Sequence, residues 1–330
     1  MFTLRIQSRT MLVLSIACCF LSLVSRSFGQ DDEYRGTAKN LSSLLTSGEA
    51  LQPKHVVFWD EEVHPKDLDV IGKRCELDSV VLGEFPDEVK LSNRSIQKLV
   101  AIESLKELSL YVSSDGDLTW NELSKLTNLK NLSLMGDVTF SNGSLGELSK
   151  IQELVSLELN GTFESAKSLE FLTDLKNLES LVLGTRDNGL DPVEIIKTLK
   201  GLKRLELSIP QGLNAKQVEE IASSVGANIE LLDVVLVDVE SLEQLKLFSN
   251  LTTLRISWRE PTSIDSRFVA NNPKLKSMTM YNCVIETSKA KEMAKAHGTL
   301  ERLVISPELN TSRALFWQKE RKRKGTQLIN

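Results

Sequence analysis

A nine-residue phrase is repeated three times between Ile151 and Leu207. It reads Ile151-Gln-Glu-Leu-Val-Ser-Leu-Glu-Leu159, then Leu175-Lys-Asn-Leu-Glu-Ser-Leu-Val-Leu183, then Leu199-Lys-Gly-Leu-Lys-Arg-Leu-Glu-Leu207. Each copy ends in the frame Leu-x-x-Leu-x-Leu, and successive copies sit 24 residues apart. A fixed period of this size predicts a solenoid. One repeat is too short to bury its own apolar edge, whereas stacked repeats share a continuous core.

With the second Leu of the frame as marker, the period runs on through Leu232, Leu254, Met278 and Leu303, and back through Leu132, Leu108, Val80 and Val56. That makes about eleven turns at spacings of 22 to 28 residues. Amphipathic helices would also suit the spacing of Leu175, Leu178 and Leu181. The period-2 step Leu181-x-Leu183, repeated at one phase in every turn, favours strands instead. In those strands Leu157 and Leu159 face inward, while Ser156, Glu158 and Asn160 face out.

These in-phase copies, over roughly residues 50–310, resemble the leucine-rich repeat family. The resemblance implies an α/β solenoid curved as a horseshoe, with a parallel sheet on its concave face and helices and irregular segments on the convex face. It also implies Asn or Cys three residues after the final strand Leu, where the side chain bonds neighbouring turns. Of the ten turns from Val80 onward only Cys283 matches; Phe85, Asp137, Arg186 and Pro210 are typical occupants. A regular asparagine ladder is therefore not expected, and the turns after the strands are expected to be irregular.

Arg5 and Arg9 precede a 14-residue apolar run, Met11 to Val24, then Ser27-Phe28-Gly29 and the acidic stretch Gln30 to Glu33. That order predicts a secretory signal peptide cut after Gly29, too short in its apolar run to span a bilayer. Its removal takes the net charge from −5 to −8, through loss of Arg5, Arg9 and Arg26. Cys75 and Cys283 remain. They lie about eight turns apart, too far for a disulfide, and are read as buried thiols. Seven Asn-x-Ser/Thr sequons, at Asn40, Asn93, Asn131, Asn142, Asn160, Asn250 and Asn310, become glycosylation candidates in a eukaryotic secretory pathway.

The chain then divides into the signal peptide (1–29), a loose N-terminal segment (30–50) in which Leu41, Leu44 and Leu45 hint at a short helix, the solenoid with its N-terminal cap (51–310), and a C-terminal cap with basic tail (311–330). Phe58, Trp59, Leu68, Val70 and Ile71 are the expected cap packing. Outer helices are expected over Leu91 to Leu105, Asn214 to Gly226 and Thr287 to His297, and from Asp191-Pro192 onward. Ala314 to Trp317 is expected to fold back over the end of the core. The run Lys319-Glu-Arg-Lys-Arg-Lys324 reads as a solvated tail.

No catalytic constellation stands out. His55, His64 and His297 share no metal-ligand spacing with each other or with the cysteines, and no phosphate loop, nucleophile elbow or zinc-protease helix occurs. No cofactor, metal or nucleic-acid partner is expected, and no membrane span once the signal is cleaved. What remains is surface. The sheet's outward columns are mostly small or polar, with an acidic middle at Glu158, Glu206 and Asp233. Exposed aromatics are expected at Tyr111, Tyr281 and Trp258. With Met135 and Arg255 these make the expected partner-binding set, since aromatics beside charges are what binding hot spots are made of. The register near Leu232 is open, because a one-residue slip there would exchange the two faces. The expected function is a non-enzymatic secreted protein that binds another protein through its concave face. The alternative is a structural or carbohydrate-associated envelope or matrix component, carried by stacking on Tyr111, Trp258 and Tyr281.

Overall fold

The computed structural model describes residues 32–49, 51–83, 88–113, 118–186, 189–264, 272–286, 288–290, 292, 298–307, 315–319 and 326–329, with side chains as far as residue 307. The proposed leader, the sequon at Asn310, the basic run beyond Lys319 and most of the helix expected at Thr287 to His297 lie outside the described residues. The chain forms two compact units, one up to Glu179 with Gly184–Leu190, the other Ser180–Leu183 with Asp191 onward. Both are built as a leucine-rich repeat solenoid, one strand to each turn, with helical or 3-10 segments between strands.

In the first unit the strands are β1 (Glu33–Gly36), β2 (His55–Phe58), β3 (Ser79–Leu82), β4 (Val89–Lys90), β5 (Glu107–Ser113), β6 (Asn131–Phe140) and β7 (Ser156–Phe163). Strands β1, β2, β3, β5, β6 and β7 are parallel neighbours in that order, and β4 pairs with the far end of β5. The register joins marker to marker: Val56 to Val80, Val80 to Leu108, Leu108 to Leu132 and Leu132 to Leu157. All five side chains are buried. Each contributes about 1.5–3 kcal/mol relative to exposure, which makes any other register costly.

The stretch expected to be loose is instead a further turn. Tyr34 occupies the marker position opposite Val56, and its ring meets Phe58 edge-on at 6.2 Å. Helix α1 (Ala38–Thr46) follows, capped by the Thr37 hydroxyl accepting from Asn40 N, and it buries Leu41 and Leu45. A tyrosine in place of leucine hides this turn from the frame. Phe58, Leu68 and Ile71 are buried as expected, but Trp59 is 46 % exposed. It follows Phe58 in an extended chain and so points to the opposite face. Helices α2 (Pro65–Arg74) and α3 (Asn93–Leu99) cover the next turns, and 3-10 segments Trp120–Lys125, Gly146–Lys150 and Ala166–Asp174 the later ones.

Strand β8 (Ser180–Thr185) is divided between the units. The second unit continues with β9 (Arg204–Ser208), β10 (Leu231–Leu236), β11 (Thr253–Ser263), β12 (Ser277–Val284) and β13 (Arg302–Ser306), all parallel. Leu205, Leu232, Leu254, Met278 and Leu303 are again joined marker to marker. Leu232 and Val234 are buried, so Asp233 faces outward and the open register is resolved. Between these strands lie α4 (Val193–Ile196), α5 (Ala215–Val225) and α6 (Ser241–Gln244). Helix α5 starts with a capping box, the Asn214 side chain on Gln217 N and the Gln217 side chain on Asn214 N, which satisfies two orphan donors at once. After β13 the chain turns back. Strand β14 (Leu315–Lys319) pairs antiparallel with β13, and β15 (Thr326–Ile329) antiparallel with β14.

A side-chain ladder between turns does exist, at a position different from the family's. The residue just before the first Leu of the frame donates to a backbone carbonyl one turn back. Ser104 reaches Leu77 O (2.6 Å), Asn128 reaches Glu103 O (3.2 Å) and Asn177 reaches Gln152 O (2.8 Å). In the second unit Asn228 reaches Lys200 O (2.8 Å), Asn250 reaches Ala227 O (2.6 Å) and Thr299 reaches Leu275 O (2.9 Å). These bonds come from before the strand, and Glu153, Gly201 and Lys274 hold the same place in other turns, so the set is not the regular asparagine ladder of the family, which the sequence did not lead one to expect. The irregular turn after the strand has its own cause in β6. Gly136 there has φ +116°, and a Cβ on it would lie 2.1 Å from Val112 O. The pairing of β6 with β7 shifts register beyond this point, between Met135 and Thr139.

Candidate functional site

The outward face of the sheet is more closed than the sequence suggests. In the first unit the central column holds Ser109, Ser133 and Glu158, all buried, with Glu158 only 2 % exposed. Neighbouring strands stand about 4.8 Å apart, so each side chain in a column is covered by the ones before and after it. Ser133 Oγ donates to Glu158 Oε2 at 3.0 Å across that gap. Tyr111 lies opposite Met135 in register, and Met135 opposite Asn160. Tyr111 is buried, contrary to its expected exposure, and Met135 is half-buried.

The second unit holds the charged part of the face. Glu206 and Asp233 are register partners on β9 and β10, and Asp233 and Arg255 on β10 and β11. Arg204 lies two residues before Glu206, on the same face of β9. It grips the Glu206 carboxylate from Nε at 2.7 Å and from Nη2 at 2.5 Å. Arg255 stands further from Asp233, with Nη1 3.7 Å from Oδ2. Glu206 is 5 % exposed, whereas the Asp233 and Arg255 side chains keep 23 % and 31 %. Burial, and then the Glu206 carboxylate alongside, push the Asp233 carboxyl up to about 7 against the pull of Arg255 and Arg204. Tyr281, half-buried, lies opposite Ser257 and Ser306 on the flanking strands.

Structure thus brings Glu206, Asp233 and Arg255 together and sets Tyr281 two strands along from Asp233. It places Tyr111, Met135 and Glu158 in the first unit. Trp258 is removed from the exposed set. It is fully buried, because period-2 alternation puts it in phase with Leu254 and Ile256 and so in the core. The sequence reading missed Arg204 as a member of the charged set. Its signal was the two-residue step to Glu206, which places both on one face.

Among the described residues, no three His, Cys, Asp or Glu side chains are grouped so as to hold a metal ion. Cys75 and Cys283 are free and buried, and burial pushes the Cys283 thiol up to about 12. Both thiols therefore stay protonated, in packing rather than in chemistry. No helix among the described residues is long and apolar enough to cross a membrane.

No family model matches the sequence, and no curated protein matches it. Among solved structures, an internalin from Listeria monocytogenes matches at 14 % identity and TM-score 0.43, over 82 % of this chain and 88 % of its own. A leucine-rich repeat protein from Leptospira interrogans matches at 16 % identity and TM-score 0.36, over 82 % of this chain and 89 % of its own. The assignment of the fold rests on the chain's own geometry: strand after parallel strand, each joined to the next through the inward marker of the Leu-x-x-Leu-x-Leu frame.

Proposed function

We propose that this is a non-enzymatic, secreted leucine-rich repeat protein that binds another protein through the outward face of its sheet. The observation that carries the reading is the Arg204–Glu206–Asp233–Arg255 set. Four charged side chains on three successive strands are held at fixed register, and Asp233 and Arg255 retain contact with solvent. Rigid strands supply the preorganisation that reduces the entropy lost on binding. Tyr281 adds a part-exposed aromatic on the same face, of the type found in hot spots. Secretion rests on the order of charge, apolar run and small residues in 1–29. The carbohydrate-associated alternative is weakened, because two of its three stacking aromatics, Tyr111 and Trp258, are buried.

The test uses residues 30–330 as bait on the extracellular or envelope fraction, beside an Arg255→Glu, Tyr281→Ala variant that leaves the buried acids intact. A protein held by the first bait and lost by the second, with direct binding then measured on the purified pair, supports the reading. Equal retention by both baits overturns it.

A further inference from the structure

The chain carries Asn-Gly pairs at Asn142-Gly143, Asn160-Gly161 and Asn188-Gly189; Asn188 lies outside the described residues. The first two are placed very differently. Asn142 and Gly143 are exposed in the loop after β6, where Gly143 has φ +81° and nothing within 4 Å of where a Cβ would be. Asn160 is half-buried in β7, and a Cβ on the buried Gly161 would lie 2.6 Å from Val138 O. Asn142 also clamps two turns together. Its Oδ1 accepts from Ser165 Oγ at 2.8 Å and from Ser168 Oγ at 3.2 Å, and its N–H donates to Glu164 Oε2 at 2.8 Å. The Ser168 hydroxyl has Phe140 O as a second acceptor, at 2.9 Å.

We propose that Asn142-Gly143 is a self-modification site, at which ring closure and hydrolysis convert Asn142 to aspartate or to isoaspartate, the latter opening the clamp. The Gly143 nitrogen, giving its proton to solvent base, attacks Asn142 Cγ, and no Cβ on Gly143 obstructs the approach. Negative charge develops on Oδ1, where the Ser165 hydroxyl already points, and a donor fixed at a developing oxyanion lowers the barrier. The C–Nδ2 bond breaks, the leaving nitrogen takes a proton and departs as ammonia, and a succinimide remains. Water then adds to either ring carbonyl and reopens the ring, so the net change is gain of water and loss of ammonia. The product sets a second carboxylate beside Glu164, and its isoaspartyl form routes the backbone through Cβ. The isoaspartyl form works against the bonds that tie the β6 loop to the segment beginning at Ser165, whereas the aspartyl form keeps an acceptor for the Ser165 hydroxyl.

The experiment uses residues 30–330 made in a host without N-glycosylation, because Asn142 also heads a sequon. The protein is held in warm, mildly alkaline buffer and followed by peptide mass spectrometry that separates aspartyl from isoaspartyl products. Asn142 is expected to convert at least about tenfold faster than Asn160, where ring closure waits on opening of the paired strand. Ser165→Ala should slow conversion severalfold. Conversion of Asn160 at an equal or greater rate, or a stable Asn142, overturns the site. An unchanged or faster rate in Ser165→Ala overturns the role of the hydroxyl.

Discussion

Asp233 sits directly beside Glu206 on the adjacent parallel strand, two carboxylates on one face, and the closer guanidinium is already committed to Glu206. Burial, and then this repulsion, favour the protonated acid at Asp233, whose carboxyl rises to about 7.

That shift makes stability depend on pH with a definite sign. The folded value lies above the unfolded value of about 4, so the contribution of Asp233 is fully present below pH ~4 and is lost as pH rises through about 7. The ceiling on the change is about 4 kcal/mol, reduced by the solvent that reaches the side chain. Asp233→Asn should remove this slope. Urea midpoints measured across that range check it: wild type should lose stability relative to the variant as pH rises, and parallel curves would refute the assignment.

Gly136→Ala should destabilise by about 3 kcal/mol or more, because the residue combines φ +116° with a Cβ 2.1 Å from Val112 O. Gly143→Ala, also at positive φ but in open space, should cost about 1–2 kcal/mol. Denaturant unfolding of the two variants reads the difference, and equal losses would mean that contact with β5 does not restrict position 136.

The displaced ladder predicts that Asn177→Ala and Asn228→Ala each cost about 1 kcal/mol, the usual net worth of one hydrogen bond. Glu153→Ala is the comparison. It occupies the same place in the frame, and no such bond is seen from it; its replacement should change stability by less than about 0.5 kcal/mol. Thermal unfolding separates the two outcomes.

The tryptophans should divide by environment. Trp258→Ala should cost about 3–5 kcal/mol, whereas Trp59→Ala should change stability by about 1 kcal/mol or less, since much of that ring is already in water. Acrylamide should quench Trp59 readily and leave Trp120 and Trp258 protected. If Trp258 is quenched like Trp59, its placement in the core is wrong.

Much of the fold was legible because the frame repeats: an apolar residue at each marker predicts both inward direction and register, and the marker pairs from β2 to β7 and from β9 to β13 obey it. Helix α5 was legible from Asn214 and its apolar spacing. The first turn was not, since Tyr34 does the work of a leucine there. The face was only half legible. Alternation gives the direction of Glu158 and Tyr111, but their burial depends on cover from adjacent turns that no single strand encodes. Trp258 was a different error, because its parity with Leu254 and Ile256 already placed it inside. The ladder was overlooked because its residues precede the strand, where only the assembled register shows that Asn128 and Asn177 reach the turn behind.

The central claim is that the outward face of the sheet binds a protein, with Asp233, Arg255 and Tyr281 as its accessible contacts. Its most direct test is the affinity of the captured partner for residues 30–330 against the Arg255→Glu, Tyr281→Ala variant, both shown folded by circular dichroism. The account predicts a loss of at least about tenfold, the effect of removing contacts worth ~1.4 kcal/mol. Equal affinity for both proteins would contradict it and move recognition to another surface.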